Sequence, residues 1–326
     1  MNQLPLCATL LLTAVISSFA APADTTVRKS FTVAEGGTLS IESNRGSINV
    51  TSTDADTVEV EVLRTAKKGS DSEIEKLLGN HKLSIAQSGN DVTVHSDFPQ
   101  QKFSILGSSP QVHLTFNVKV PKKYNLNLET AGGSISVPEI QGEVVSQTSG
   151  GNLSFGKITG SILGETSGGS ISIQSCNGKV IAETSGGSIK IGEVQGDVTS
   201  ETSGGSISMS KVQGNVVAET SGGGIQIDGV TGSVVASTSG GSIKAKFLEQ
   251  PPADCTLETS GGSIEVRLIE SAKMTINAET SGGKIHTDFP VGQKLQDHRE
   301  LHSEINGGGP ALNLETSGGN IHISKL

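Results

Sequence analysis

The stretch "DVTSETSGGSISMSKVQG", Asp197 to Gly214, is the phrase on which the fold turns. Its heptapeptide ETSGGSI recurs verbatim from Glu165, Glu183 and Glu258. The shorter phrase TSGG starts at Thr148, Thr166, Thr184, Thr202, Thr220 and Thr238, with TAGG at Thr130, so seven units follow one another at a fixed 18-residue period. Further starts at Thr259, Thr280 and Thr316 come after steps of 21, 21 and 36 residues, where extra loops leave the array. Self-similarity at a fixed period marks a stacked architecture and takes precedence over any local element.

Within the phrase, Val198-Ser200-Thr202 and Ile207-Met209 are β-type alternations joined by Gly204-Gly205, and a second turn is expected at Val212-Gln213-Gly214. Runs of about five residues cannot bury an apolar face alone, so each must pair with its copy one period later. The expected fold is therefore all-β: a single-stranded parallel β-helix, or β-solenoid, with 18-residue coils. Right-handed winding is expected because parallel crossovers take that hand in most cases. A left-handed hexapeptide solenoid needs an aliphatic at every sixth residue, and steps of six from Ile189 reach Gln195 and Glu201. Ten coils at about 4.8 Å per strand would make a rod about 48 Å long.

The columns agree with stacking. Four residues before each repeat Thr stand Leu126, Val144, Ile162, Val180, Val198, Val216, Val234, Cys255, Ile276 and Leu312, and the second residue after Gly-Gly is an aliphatic throughout, from Ile135 to Ile321. Two before the Thr, the inward residue is small through the middle units (Ser146, Gly164, Ala182, Ser200, Ala218, Ala236) and Leu at Leu128, Leu257 and Leu314, which predicts a narrow middle and wider ends. The Thr column should form a hydroxyl ladder bonded to itself or to turn backbone, because a buried hydroxyl without a partner is costly. Cys176 and Cys255 replace aliphatics about four rungs apart, roughly 19 Å at strand spacing and far beyond disulfide reach. Two buried free thiols are expected.

Residues 24–125 differ in texture. TVEVEVLRTA, KLSIAQS, DVTVHSDF and QVHLTFNVKV, from Thr57, Lys82, Asp91 and Gln111, are longer alternating strands. Between the first two, Ser70 and Glu73 fit a capping box and Ile74, Leu77 and Leu78 one helix face. ESNRGSINV from Glu42 mimics ETAGGSISV from Glu129, so a degenerate coil starts there. The organisation expected is a signal peptide over 1–20, a mostly β N-terminal cap region over 24–125 with one short helix, and solenoid repeats over 126–326 with an insert at about 288–310. The signal peptide rests on the apolar run from Leu6 to Ile16 followed by small residues, with Ser18 and Ala20 in small-x-small spacing.

Composition narrows the function. The 326 residues carry 24 Lys and Arg against 33 Asp and Glu, a net charge of -9, which disfavours nucleic acid and anionic membrane. With no Trp and 42 Gly, the core must be aliphatic and thin. No segment after the first approaches membrane-spanning length, so no membrane insertion is expected after signal cleavage.

VPKKYNLNLETAGGSISV, Val120 to Val137, and EINGGGPALNLETSGGNIHI, Glu304 to Ile323, resemble the bacterial "putative adhesin" family of Gly-rich β-solenoids, a domain of unknown function. The resemblance covers roughly residues 30 to 326. It implies the solenoid fold and an adhesin label, and supplies no catalytic residues.

Candidate chemistry is sparse. One Glu precedes the Thr in most coils, Glu129, Glu165, Glu183, Glu201, Glu219, Glu258, Glu279 and Glu315, and a ladder repeated at every rung offers no unique site. Solvated carboxylates accepting local turn bonds are expected, and the Asp-rich nonapeptide of calcium-binding β-rolls is missing. His298 and His302 could share a helix face beside Asp297 or Glu304, and His286 and His322 would be neighbours if residues 288–310 loop out, but both read as surface histidines. The Gly runs at 222–224 and 307–309 follow no phosphate-loop pattern. No catalytic residue, cofactor or metal site is assigned. The outward position three before the Thr reads Val145, Leu163, Ile181, Thr199, Val217, Val235 and Thr256, more apolar than a solvated face needs. Val145, Leu163, Ile181, Val217 and Val235 are taken as a candidate partner surface. On the other strand Ser172 and Ser208 belong to a hydroxyl ladder interrupted by Lys190, Gln226, Lys244 and Glu265. The function expected is an exported, non-catalytic adhesin or envelope-binding protein, periplasmic, surface-bound or secreted, whose partner is a glycan or an envelope protein. A polysaccharide-acting β-helix enzyme and a self-assembling envelope scaffold are the alternatives. The scaffold reading rests on the chain stopping just after its last coil, with His322 and Lys325 alone to deter edge pairing.

Overall fold

The repeat folds as its columns demand, each unit giving one strand to each of two 14-stranded sheets. The structure is a computed structural model and describes residues 24–98, 111–291 and 298–326, so the signal peptide proposed for 1–20 lies outside the described residues. We call the strand that ends on the repeat Thr part of the Thr sheet, and the strand that opens on the Ile after Gly-Gly part of the Ile sheet. In the quoted unit these are Val198–Thr202 and Ile207–Gln213. Val198 lies beside Val180 and Val216, and Ile207 beside Ile189 and Ile225, all in parallel register. The chain is thus a β-solenoid in which same-letter positions stack.

The second strand is longer than its alternation suggests. It runs through Val212 and Gln213, where a turn is expected, because Ser210 and Lys211 both face outward and reset the inward phase. Val212 is then buried again and stacks on Val194, Cys176, Ile158 and Ile140 in neighbouring rungs. That phase shift lets one strand bury residues at both of its ends. In the middle coils, where the inward residue of the Thr sheet is small, the Ile sheet carries the larger Phe155, Ile173, Ile191, Met209 and Ile227, all buried. At Gly164 a Cβ would lie 3.1 Å from Cε2 of Phe155, so the ring occupies the space that a larger residue would need.

Backbone and hydroxyls lock successive rungs at the Gly-Gly corner. The Thr202 hydroxyl donates to the Gly187 carbonyl of the preceding rung at 2.8 Å and accepts from the Gly205 N–H of its own rung at 3.3 Å. The same pair of bonds recurs at Thr166, Thr184, Thr220 and Thr238, so the Thr ladder bonds turn backbone and not itself. Beside it, the Ser after Gly-Gly accepts from the next rung, Ser206 N–H to Ser188 Oγ and Ser188 N–H to Ser170 Oγ, both at 3.2 Å. That second ladder explains why the repeated phrase keeps its last Ser.

At the N-terminal end, Thr38–Ser43 and Ser47–Thr53 form the degenerate coil, with Glu42 beside Glu129 and Ile48 beside Ile135. The Ile sheet then continues through Gln111–Pro121, Thr57–Lys68 and Asp24–Thr32, and the Thr sheet through Asp91–Asp97 and Lys82–Ser88. The last pairings on each side are antiparallel, which ends the stacking direction. The helix Asp71–Gly79 has its capping box, with the Glu73 carboxylate accepting from the Ser70 N–H at 2.9 Å, and buries Ile74.

The C-terminal end departs from sequence order. The last coil, Ala311–Thr316 and Ile321–Lys325, is not the last rung. It slots between the coil Cys255–Thr259 with Ile264–Leu268 and the coil Met274–Thr280 with Ile285–Thr287. The Thr ladder records the exchange: Thr316 donates to the Gly262 carbonyl and Thr280 to that of Gly319, each at 2.7 Å. Glu300–Ile305 then pairs antiparallel with Met274–Thr280 at the outside of the Thr sheet. The expectation of an open edge at the chain terminus is therefore corrected, because Leu326 donates its N–H to the Leu268 carbonyl inside the stack. Among the described residues the edge strand of the Ile sheet at this end is Ile285–Thr287, and its Ile285 N–H donates to the His298 carbonyl at 2.7 Å. The terminal-edge argument for end-to-end polymerisation falls with it.

Candidate functional site

Parallel register turns each outward position of the Thr sheet into a straight column. Val145, Leu163, Ile181, Thr199, Val217 and Val235 stand beside one another in successive rungs, alternating along each strand with the buried Val and Thr positions. Val217 and Val235 are 37% and 43% exposed, and the other members are half-buried. Two residues along, on the same face, Gln147, Glu165, Glu183, Glu201 and Glu219 make a second column. The structure therefore brings together every residue of the candidate partner surface, as an apolar stripe bordered by a carboxylate stripe.

The carboxylates are solvated as expected but do not take the turn N–H groups. The corner N–H groups are bound by Thr hydroxyls, leaving the Glu side chains to one another and to solvent. The first is relieved by Gln147, whose side-chain amide donates to Glu165 at 2.7 Å. Glu183 sits mid-ladder, and partial burial, with Glu165 and Glu201 on either side, raises its pKa above the ordinary carboxylate value. A raised folded-state pKa means that the carboxyl favours folding while protonated and loses that contribution as pH rises through the shifted value. Glu183→Gln should accordingly be more stable than the parent at pH 7, by about 0.5 kcal/mol or less for a surface group. The gain should vanish below the unfolded carboxylate range, and urea midpoints at pH 7 and pH 3.5 would show it. Equal midpoints at both pH values would mean that the ladder is fully screened.

A shallow groove follows this column over the Thr and Ser corner, lined by Glu129, Glu165, Glu183 and Glu201 with the adjoining hydroxyl residues. Its walls repeat from rung to rung. At the N-terminal end it meets His95 and Glu42, an exposed pair at 3.3 Å.

The other sequence candidates separate. His302 lies on the strand Glu300–Ile305, with its Nδ1 against Asn277 Oδ1 at 2.5 Å, and His298 precedes that strand with a φ of 54°. The shared helix face is thus corrected to a turn and a strand, and Asp297 lies outside the described residues. His286 and His322 are neighbours, because their strands pair directly. Asp288 joins them, a member that spacing alone does not reveal. Cys176 and Cys255 are buried free thiols, and burial pushes both pKa values up to about 11, which keeps them protonated and unreactive. Among the described residues no helix is long and apolar enough to cross a membrane.

A family model described as Toastrack DUF4097 matches residues 36–324. No curated protein matches the sequence. Among solved structures, a Parabacteroides merdae protein named "putative adhesin" is similar at 14% identity and TM-score 0.42, over 74% of this chain and 95% of its own. A Bacteroides fragilis protein of the same description shares 14% identity at TM-score 0.36, over 93% and 97% of the two chains. A Parabacteroides distasonis protein named "putative lipid binding protein" shares 12% identity at TM-score 0.33, over 92% and 96%.

Proposed function

The chain belongs to the Toastrack DUF4097 family, and on that premise we propose that it is an exported, non-catalytic solenoid that binds a cell-envelope component along the outer face of its Thr sheet. The carrying observation is the register that sets an apolar column against a carboxylate column at one-rung spacing. Each rung offers only a shallow contact. Repetition along a rigid axis lets one partner engage several rungs together, and linked weak contacts multiply into a strong one. The partner chemistry that fits is a glycan or envelope protein presenting apolar groups flanked by hydrogen-bond donors or cations. The repeating walls of the adjoining groove support binding more than chemistry, since catalysis needs convergent and dissimilar groups at one point. Export is supported by the apolar leader that begins the sequence.

The test is a binding screen of the mature protein against glycans and envelope proteins, repeated with Val217→Lys and Val235→Glu. Both positions are exposed, so the fold should persist. Affinity for a captured partner should fall at least about tenfold with the pair of substitutions, the loss of about 1.4 kcal/mol expected of a central contact. Unchanged affinity would remove this face as the contact surface.

A further inference from the structure

The interleaving of the last coil creates a juxtaposition that the repeat itself does not contain. On the outward face of the Ile sheet, the column that reads Ser172, Lys190, Ser208, Gln226, Lys244 and Glu265 ends in His322 and then His286. The two imidazole rings are 5.0 Å apart at their centroids, inclined by 50°. Asp288 follows His286 by two residues and places its Oδ1 3.7 Å from His286 Nε2. Donor atoms of all three residues lie within 4.8 Å of one another.

We propose that His286, Asp288 and His322 form a binding site for one divalent transition-metal ion of the zinc type. Two imidazole nitrogens and one carboxylate oxygen are the donors that such an ion selects, whereas calcium and magnesium require mostly oxygen. Metal–donor distances of about 2.0–2.2 Å set neighbouring donors roughly 3.3 Å apart in a tetrahedron. The present separations exceed that by about 1.5 Å or less, a gap closed by side-chain rotation at three exposed positions. Glu265, the next rung, is held by Arg267 at 2.8 Å and Lys244 at 3.4 Å and stays outside the set. Three protein donors leave a fourth position for water or for a donor from a partner. The ion would also join the final coil to the edge coil, His322 belonging to the first and His286 to the second. Metal occupancy and the out-of-order stacking are therefore linked.

Calorimetric titration of the mature protein with Zn²⁺ tests the site, with Ca²⁺ as the contrasting ion. One equivalent of Zn²⁺ should bind with micromolar affinity and Ca²⁺ should not. His286→Gln and His322→Gln should each weaken Zn²⁺ binding at least about tenfold, the scale on which metal sites respond to lost partners. His302→Gln should leave it unchanged, because that residue is engaged with Asn277. Saturating Zn²⁺ should raise the thermal unfolding midpoint of the parent and not of the double variant His286→Gln/His322→Gln, because binding to the native state alone stabilises it. Absence of binding at millimolar Zn²⁺, or the same stoichiometry and affinity in the double variant, would overturn the assignment.

Discussion

Gly187→Ala is expected to destabilise the rod by about 3 kcal/mol or more, while Gly186→Ala in the same turn is expected to be neutral or slightly stabilising. Both are the glycines of one TSGG phrase, and composition cannot tell them apart. Their surroundings can. A Cβ on Gly187 would lie 2.0 Å from the Gly169 carbonyl oxygen of the rung beneath, whereas one on Gly186 would lie 3.5 Å from its nearest neighbour, the Gly168 carbonyl oxygen, an ordinary contact. The colliding atom is backbone, and strand spacing of about 4.8 Å leaves it no retreat. The Gly169 carbonyl is also the acceptor of the Thr184 hydroxyl, so moving it breaks the corner bond at 2.7 Å. At Gly186 the added methyl restricts the unfolded chain, a gain of about 0.4–1 kcal/mol where the native conformation permits it. Urea midpoints of the two single variants would decide, and similar midpoints would mean that adjacent rungs do not approach as closely as the corner geometry requires.

The legible part of this fold is the part that repetition writes. Ile171, Ile189 and Ile207 are side by side, as a period of 18 requires, and the imitation of Glu129 onwards by Glu42 onwards places a coil in the N-terminal region. The capping box at Ser70 was equally visible because it depends on local spacing alone. Repetition also conceals. Leu312, Ile276 and Cys255 fit the same inward column, so no apolar pattern can decide the order in which their rungs stack. The longer steps before Thr259, Thr280 and Thr316 mark irregularity without giving its topology. For the same reason the His286 and His322 pair could be anticipated from equivalent positions, but Asp288 could not, since it lies past the end of a three-residue strand. The Glu ladder is solvated as its position suggests, but the turn bonds expected of it go to the Thr hydroxyl, one residue on, which reaches the corner N–H groups from inside the coil.

The order of the last rungs yields the second large effect. Ending the chain at Pro310 should unfold residues 274–291 and 298–305, not merely shorten the rod by one coil. In the native stack, Ala311–Thr316 pairs with Cys255–Thr259 on one side and Met274–Thr280 on the other, while Ile321–Lys325 pairs with Ile264–Leu268 and Ile285–Thr287. Removing that coil leaves a vacant rung in both sheets, about 9.6 Å from strand to strand at normal spacing. It also removes Leu312, Leu314, Ile321 and Ile323, each no more than 2% exposed. Four buried aliphatics at about 1.5–3 kcal/mol each contribute roughly 6–12 kcal/mol of burial, against a total stability of about 5–15 kcal/mol for an ordinary domain. Among the described residues the surviving strand Met274–Thr280 would keep one pairing, the antiparallel one with Glu300–Ile305, and a two-stranded ribbon is marginal in water. Rungs through Leu268 should persist, because each interacts chiefly with its nearest neighbours. Hydrogen exchange on the truncated protein should therefore show lost protection in the strands Met274–Thr280, Ile285–Thr287 and Glu300–Ile305 and retained protection before 268, and a synthetic peptide of residues 311–326 should restore the lost strands. Protection of those strands without the peptide would mean that this coil docks directly on the Cys255 rung, and that the terminal strands add to the end of the stack in the order of the chain.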